Sequence, residues 1–139
     1  MLEYPSGFAD SKHRKRACCG ILAIAMACNV SFEKATQACK AGMLPKQKRM
    51  GVRTYYQQRM NALWRLGIKT KSEYGRDMGS VGYWIVNHAK PHTNYIISCK
   101  GHTMSYLNNA IGDQKGVYNY LLRPEICRKK IVEITEILA

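Results

Sequence analysis

Cys19, His102 and Asp113 are of the residue types that carry out nucleophilic acyl transfer, and each falls on a different predicted element. A thiol attacks only as thiolate, and a free cysteine titrates near 8.5, so it needs help to ionise at neutral pH. Cys19 opens the apolar segment 19–28. In a helix there, the positive end of the dipole meets the sulfur, and Lys15 and Arg16 just upstream favour the anion further. His102 opens a predicted strand, where an imidazole can take the thiol's proton and later give it to a leaving group. Asp113 follows eleven residues later. A carboxylate beside the ring fixes its tautomer and orientation. Taken singly, each residue also fits an ordinary role: Cys18 and Cys19 as core thiols, His102 as a satisfied strand histidine, Asp113 as a turn residue after Gly112. The order and spacing together carry the site.

The turn between the histidine and the aspartate decides whether they meet. Asn108-Asn109 lies between two apolar stretches. Asparagine tolerates positive φ, so the pair predicts a two-residue hairpin. Leu107 then pairs with Ala110 and Met104 with Asp113. His102, two residues before Met104, points to the same face and meets Asp113 diagonally, at about 7–8 Å between backbones. A slip of one residue separates them onto opposite faces.

The elements that position these residues follow from periodicity. Cys19 to Cys28 is apolar all round, which predicts a buried helix, with Asn29 ending it. Ser31 caps a second helix to about Ala41, with Phe32, Ala35 and Cys39 on one face and Gly42 as the stop. Thr54 opens a third, with Tyr56, Met60, Leu63 and Trp64 at helical spacing and Gly67 at its close. Ile68 to Tyr74 reads as a strand with a polar face. Ser80 caps a short helix through Tyr83, Trp84 and Asn87 that ends before Pro91. Tyr95–Cys99 and His102–Leu107 read as strands, Ala110-Ile111 begins another, and Val117–Leu122 suggests one more. Residues 128–138 alternate in a way that fits strand or helix. Helices first and strands second predict an α+β domain. The whole chain, 1–139, reads as one domain, with 1–16 a basic lead-in and 123–139 a C-terminal extension.

Bulk properties narrow the function classes. A chain of 139 residues is large enough for a core without staples. The longest apolar run, 17–28, is shorter than the roughly 20 residues a bilayer crossing needs. Met1 to Arg16 has charges but no apolar core of a signal sequence. Synthesis and residence inside a cell follow as expectations, with thiols reduced. The six cysteines, at 18, 19, 28, 39, 99 and 127, include no Cys-x-x-Cys and no histidine at ligand spacing, so neither metal nor cofactor is expected. The formal charge is +13, from 22 Lys plus Arg against 9 Asp plus Glu. It clusters at Lys12, Arg14, Lys15 and Arg16, at Lys46, Lys48 and Arg49 on to Arg53, and at Arg128 to Lys130. Such clusters suit a nucleic acid or an acidic protein surface. They also read as ordinary solvated charge.

The combination resembles papain-like cysteine peptidases, closest to the small bacteriocin-processing type found in phage and bacterial genomes. The matching features are the helix opening C-x-x-x-A-x-A at Cys19, Ala23 and Ala25, the second helix from Ser31 to Ala41 with Phe32-Glu33, the strand 95–97 leading to Gly101-His102, and Asp113. The resemblance covers roughly residues 13 to 120. It implies a papain-like α+β fold, with N-terminal helices packed on a C-terminal antiparallel sheet and the nucleophile at the N-terminus of a buried helix. It further implies Cys19 as nucleophile, His102 as general base and acid, and Asp113 as its orienter. The family's oxyanion glutamine just before the nucleophile is absent, and His13 is the nearest substitute. The Cys18 position, often polar in relatives, also departs from the pattern. The implied activity is a thiol hydrolase cleaving peptide or isopeptide bonds in a peptide or protein substrate. The alternative is a catalytically idle scaffold of the same fold, a basic virion component contacting nucleic acid or other virion proteins. The implied location is host cytoplasm or virion, with no membrane association.

Overall fold

The computed structural model describes residues 1–8, 18–41, 56–74 and 78–138. Helix α1 spans Cys19–Cys28, and its side chains are small or aliphatic on every face. Gly20 to Ala27 are all buried, as a helix without a polar face must be. Asn29, in the left-handed region at φ 54°, ends it, and the Val30 N–H returns to the Ala25 carbonyl at 3.1 Å. Helix α2, Phe32–Lys40, starts where Ser31 Oγ accepts the Lys34 N–H at 3.1 Å. Glu33 in its first turn and Lys40 in its last suit the helix dipole. Helix α3, Tyr56–Arg65, stops at Gly67, φ 73°, with the Ile68 N–H bonded back to Leu63. Its buried face departs from the sequence expectation. Trp64, expected in the apolar repeat, is 81% exposed, while Arg59 turns inward with Ala62 and Leu63. The cap expected at Thr54 and the stop expected at Gly42 lie outside the described residues.

Strands β1 (Lys69–Tyr74), β2 (Tyr95–Cys99), β3 (His102–Leu107), β4 (Ala110–Asp113), β5 (Gly116–Asn119) and β6 (Ile131–Leu138) form one antiparallel sheet in the order β1-β6-β2-β3-β4-β5. The stretch left open between strand and helix is therefore a strand. It lies inside the sheet between β1 and β2, so residues 131–138 are part of the fold's centre and not an appendage. The strand expected over 117–122 ends at Asn119. There Asn119 Oδ1 accepts the Leu121 N–H at 2.9 Å and the chain turns into a single 3-10 turn. Helix α4, Val81–His88, begins where Ser80 Oγ accepts the Tyr83 N–H, and the short α5, Pro124–Cys127, leads into β6.

Alternation along the strands sends side chains to two cores. Ile96, Leu107 and Ile137 pack with α1, α2 and α3. Tyr95, Ile97, Met104, Ile111 and Ile134 pack with Val81, Trp84 and Ile85 of α4 and with Ile126 of α5. The protein is an α+β fold with helices on both faces of an antiparallel sheet. Helix α1 is covered by the sheet on one side and by α2 and α3 on the other. Residues 1–8 of the expected lead-in are anchored. Leu2 and Phe8 are buried, Ser6 O accepts the Phe32 N–H, and the Phe8 ring meets Phe32 edge-on at 5.2 Å. No helix among the described residues is long and apolar enough to cross a membrane.

Candidate active site

The strand directions collect one end of the sheet around a single point. β2 ends at Cys99, β3 begins at His102, β4 ends at Asp113 and β6 begins at Ile131. The β2–β3 turn is tight because Gly101 takes φ 76°. The N-terminus of α1 reaches the same end, and Cys19 there is met by the His102 ring and the Thr103 N–H. His102 Nε2 stands 2.9 Å from Asp113 Oδ2, which leaves Nδ1 for the thiol. The structure thus brings Cys19, His102 and Asp113 together.

Electrostatics single out Cys19. Burial works against its ionisation, but the hydrogen bond to His102, the Thr103 N–H and the imidazolium charge outweigh that and lower its pKa from the usual thiol value. The other cysteines move up, chiefly by burial. Cys28 and Cys39 reach about 12, and Cys18, Cys99 and Cys127 are also raised. The Asp113 and Cys19 bonds raise His102 to about 9. Cys18 caps α1 without a side-chain bond to the helix and accepts from Gln114 Nε2 at 3.2 Å.

Asp113, only 2% exposed, is held more elaborately than the sequence indicated. Arg123 grips both oxygens, Nη1 to Oδ1 at 3.1 Å and Nη2 to Oδ2 at 2.8 Å, and the Lys115 N–H donates to Oδ1 at 2.9 Å. Burial opposes the carboxylate charge, but His102, Arg123 and Lys115 overcome it and hold its pKa far below the usual carboxylate range. The Tyr4 hydroxyl donates to the Asp113 carbonyl at 2.6 Å. Arg123 is anchored in turn by Glu125 Oε1 at 2.7 Å from its Nε. The sequence reading did not find Arg123. The one cue is a cation followed by proline, set between Leu121-Leu122 and Ile126.

A second buried ion pair backs the site from the α1 side. Arg59 of α3 pairs with Glu133 of β6 and donates to Ser98 Oγ at 3.3 Å. Ser98 shares a 2.8 Å bond with Thr103 Oγ1, beside the N–H that faces Cys19. Burial lowers the Arg59 pKa, partly offset by attraction to the Cys19 and Cys39 thiolates.

The remaining expected site residues, His13 and Lys12, Arg14, Lys15, Arg16, Lys46, Lys48 and Arg49, lie outside the described residues. Among the described residues no group of three or more His, Cys, Asp or Glu is placed to hold a metal ion. A groove of about 560 Å³ lined by Lys71, Tyr83, Trp84 and Glu136 lies on the α4 face, and Cys19 is not part of its wall. No protein-family model, curated protein or solved structure matches the chain. Any assignment of function therefore rests on the chemistry of the site.

Proposed function

We propose that this protein is a thiol hydrolase, a small papain-like cysteine peptidase that cleaves peptide or isopeptide bonds through Cys19, His102 and Asp113. One observation carries the reading: of the six cysteines, the one whose ionisation is favoured is the one beside a histidine that is itself bonded to a buried aspartate. In this reading the Cys19 thiolate adds to the acyl carbon, and the His102 imidazolium protonates the departing amine. The neutral imidazole then takes a proton from water, which attacks the thioester and releases the acid. The Cys19 N–H, at the start of α1, points a dipole-backed donor at the developing oxyanion. Asp113 keeps the ring in the tautomer that presents Nδ1 to sulfur.

The test is alkylation by iodoacetamide across pH, with the modified peptide located by mass spectrometry, alongside hydrolysis of p-nitrophenyl acetate. The expected result is label on Cys19 first, slowed in His102→Ala, with ester turnover lost in Cys19→Ala. Label falling mainly on Cys18, Cys28 or Cys127, or a rate indifferent to His102, defeats the assignment. Rapid labelling of Cys19 with no turnover of esters or peptides favours the idle scaffold.

A further inference from the structure

The turns around the reactive end of the sheet carry a one-sided charge that the acyl-transfer reading does not use. Lys100 sits in the β2–β3 turn, immediately before Gly101-His102. Lys115 sits in the β4–β5 turn, two residues after Asp113. Arg128, Lys129 and Lys130 lie between α5 and β6. All five are exposed. The Lys129 carbonyl accepts the Val81 N–H at 2.9 Å, and Lys130 bridges Ser80, which ties their loop to the start of α4 at this same end. Three of the described acidic side chains here are already engaged. Asp113 is buried under His102 and Arg123, Glu125 is paired with Arg123, and Glu133 is buried with Arg59. Glu73, exposed near the end of the edge strand β1, and Glu3, exposed between Leu2 and the Tyr4 whose hydroxyl meets the Asp113 carbonyl, are the exceptions among the described residues. Three separate turns thus place exposed cations at the end of the sheet that holds the thiol, with Lys115 near Glu125, and the N-terminus of α1 adds positive potential there.

We propose that the substrate is an acidic polypeptide segment, with Asp or Glu side chains flanking the bond presented to Cys19; this rests on the thiol-hydrolase reading above. A polypeptide is favoured over a nucleic acid because the cations share their end of the sheet with a nucleophile suited to acyl carbon, and a phosphodiester offers it no acyl group. Flanking carboxylates raise the local concentration of substrate at the thiol, and salt removes that advantage.

The experiment uses the full chain and three peptide vinyl sulfones of equal length, flanked by Glu, Ser or Lys, with labelling of Cys19 followed by mass spectrometry. At low ionic strength the Glu probe should label about tenfold faster than the Ser probe and the Lys probe more slowly than either, with the rates converging as salt is added. Lys129→Glu/Lys130→Glu should narrow or reverse the order, with each probe's rate taken relative to that of uncharged iodoacetamide on the same variant so that any change in the thiol itself cancels. If that variant fails to fold, the salt dependence of the wild-type rates decides. Equal rates for all three probes, with Cys19 still alkylated in a His102-dependent way, overturn the acidic-substrate proposal and leave the hydrolase reading standing. A Cys19 inert to every reagent overturns the hydrolase reading and this proposal with it. Protection of Cys19 by a short oligothymidylate but not by polyglutamate makes the face a nucleic-acid surface and also overturns the proposal.

Discussion

Asp113 Oδ2 accepts from His102 Nε2 at 2.9 Å and from Arg123 Nη2 at 2.8 Å, so one buried oxygen is shared between an imidazole and a guanidinium. The first contact is local in origin. Asn108 and Asn109 adopt φ 45° and 69°, and the turn they form sets Leu107 opposite Ala110 and Ser105 opposite Gly112. One step further along that register brings Asp113 diagonally across from His102. The second contact depends on chain beyond β5, and it changes what the aspartate can do. A guanidinium on both oxygens fixes the carboxylate plane and shares its negative charge.

Arg123 is therefore expected to act as a positioning residue. Its side chain reaches the thiol through Asp113 and His102 alone. Arg123→Met should lower turnover by about ten- to a hundredfold, the scale of a lost hydrogen bond to a charged group. It should also raise the pH at which His102 loses its proton, because Asp113 then gives its full charge to the imidazole. Arg123→Lys should restore much of that pH shift but less of the rate, since a lysine supplies charge without the bidentate grip. The pH profile of turnover, read beside a thermal melt, separates this from a structural role. A melting temperature that falls while the pH profile stays in place argues against it.

The pH profile of the wild type has a definite sign. Cys19 is lowered from the usual thiol value and His102 is raised to about 9, so thiolate and imidazolium coexist in the window between them. Turnover of a peptide anilide should rise as the thiol deprotonates and fall as His102 deprotonates near pH 9, with both limbs belonging to the coupled pair. Asp113→Asn removes the largest cause of the histidine's elevation. The alkaline limb should move down toward the ordinary imidazole range, and the thiol limb should move up as the imidazolium becomes scarcer. The same groups bear on stability. His102, raised in the fold, stabilises it below the ordinary imidazole pKa, and that contribution is lost as pH rises through about 9. Asp113, depressed in the fold, stabilises it above the ordinary carboxylate pKa, and that contribution is lost as pH falls into the acid range. A turnover profile that stays flat from pH 6 to 10 contradicts the ion-pair account.

What could be read in advance was local. Ser31 and Ser80 cap helices because their hydroxyls answer N–H groups three residues on. Cys19–Cys28 is buried because it has no polar side to expose. The Asn108-Asn109 turn sets a register, and that register aligns His102 with Asp113. What stayed hidden was non-local. Nothing in the alternation of residues 131–138 says that this strand inserts between β1 and β2, because the choice depends on which edge other elements leave open. Arg123 and Arg59 look like two more cations in a chain of high positive charge. Only the fold, by placing Asp113 and Glu133 opposite them, makes them buried partners. Trp64 is exposed and Arg59 turned inward for the same reason: the carboxylate that Arg59 meets, Glu133, lies on a strand more than seventy residues away.

The Arg59–Glu133 pair yields the sharpest test of stability. Glu133 is 2% exposed and Arg59 6%, and the two join α3 to the inserted strand β6 behind the Cys19 thiol. Taking away one partner strands the other's charge away from water. Glu133→Leu should therefore destabilise the fold by about 3–5 kcal/mol in urea denaturation. Arg59→Met/Glu133→Leu should recover most of that loss, since an apolar pair of similar volume has no charge left to solvate. The thiol should respond differently from the fold. Attraction between Arg59 and the Cys19 thiolate is lost in the double variant even when stability returns, so its alkylation midpoint should lie above that of the wild type. A double variant as unstable as Glu133→Leu contradicts the charge-burial account. Restored stability with an unmoved thiol midpoint means that Arg59 serves the packing of α3 on β6 and has no influence on Cys19.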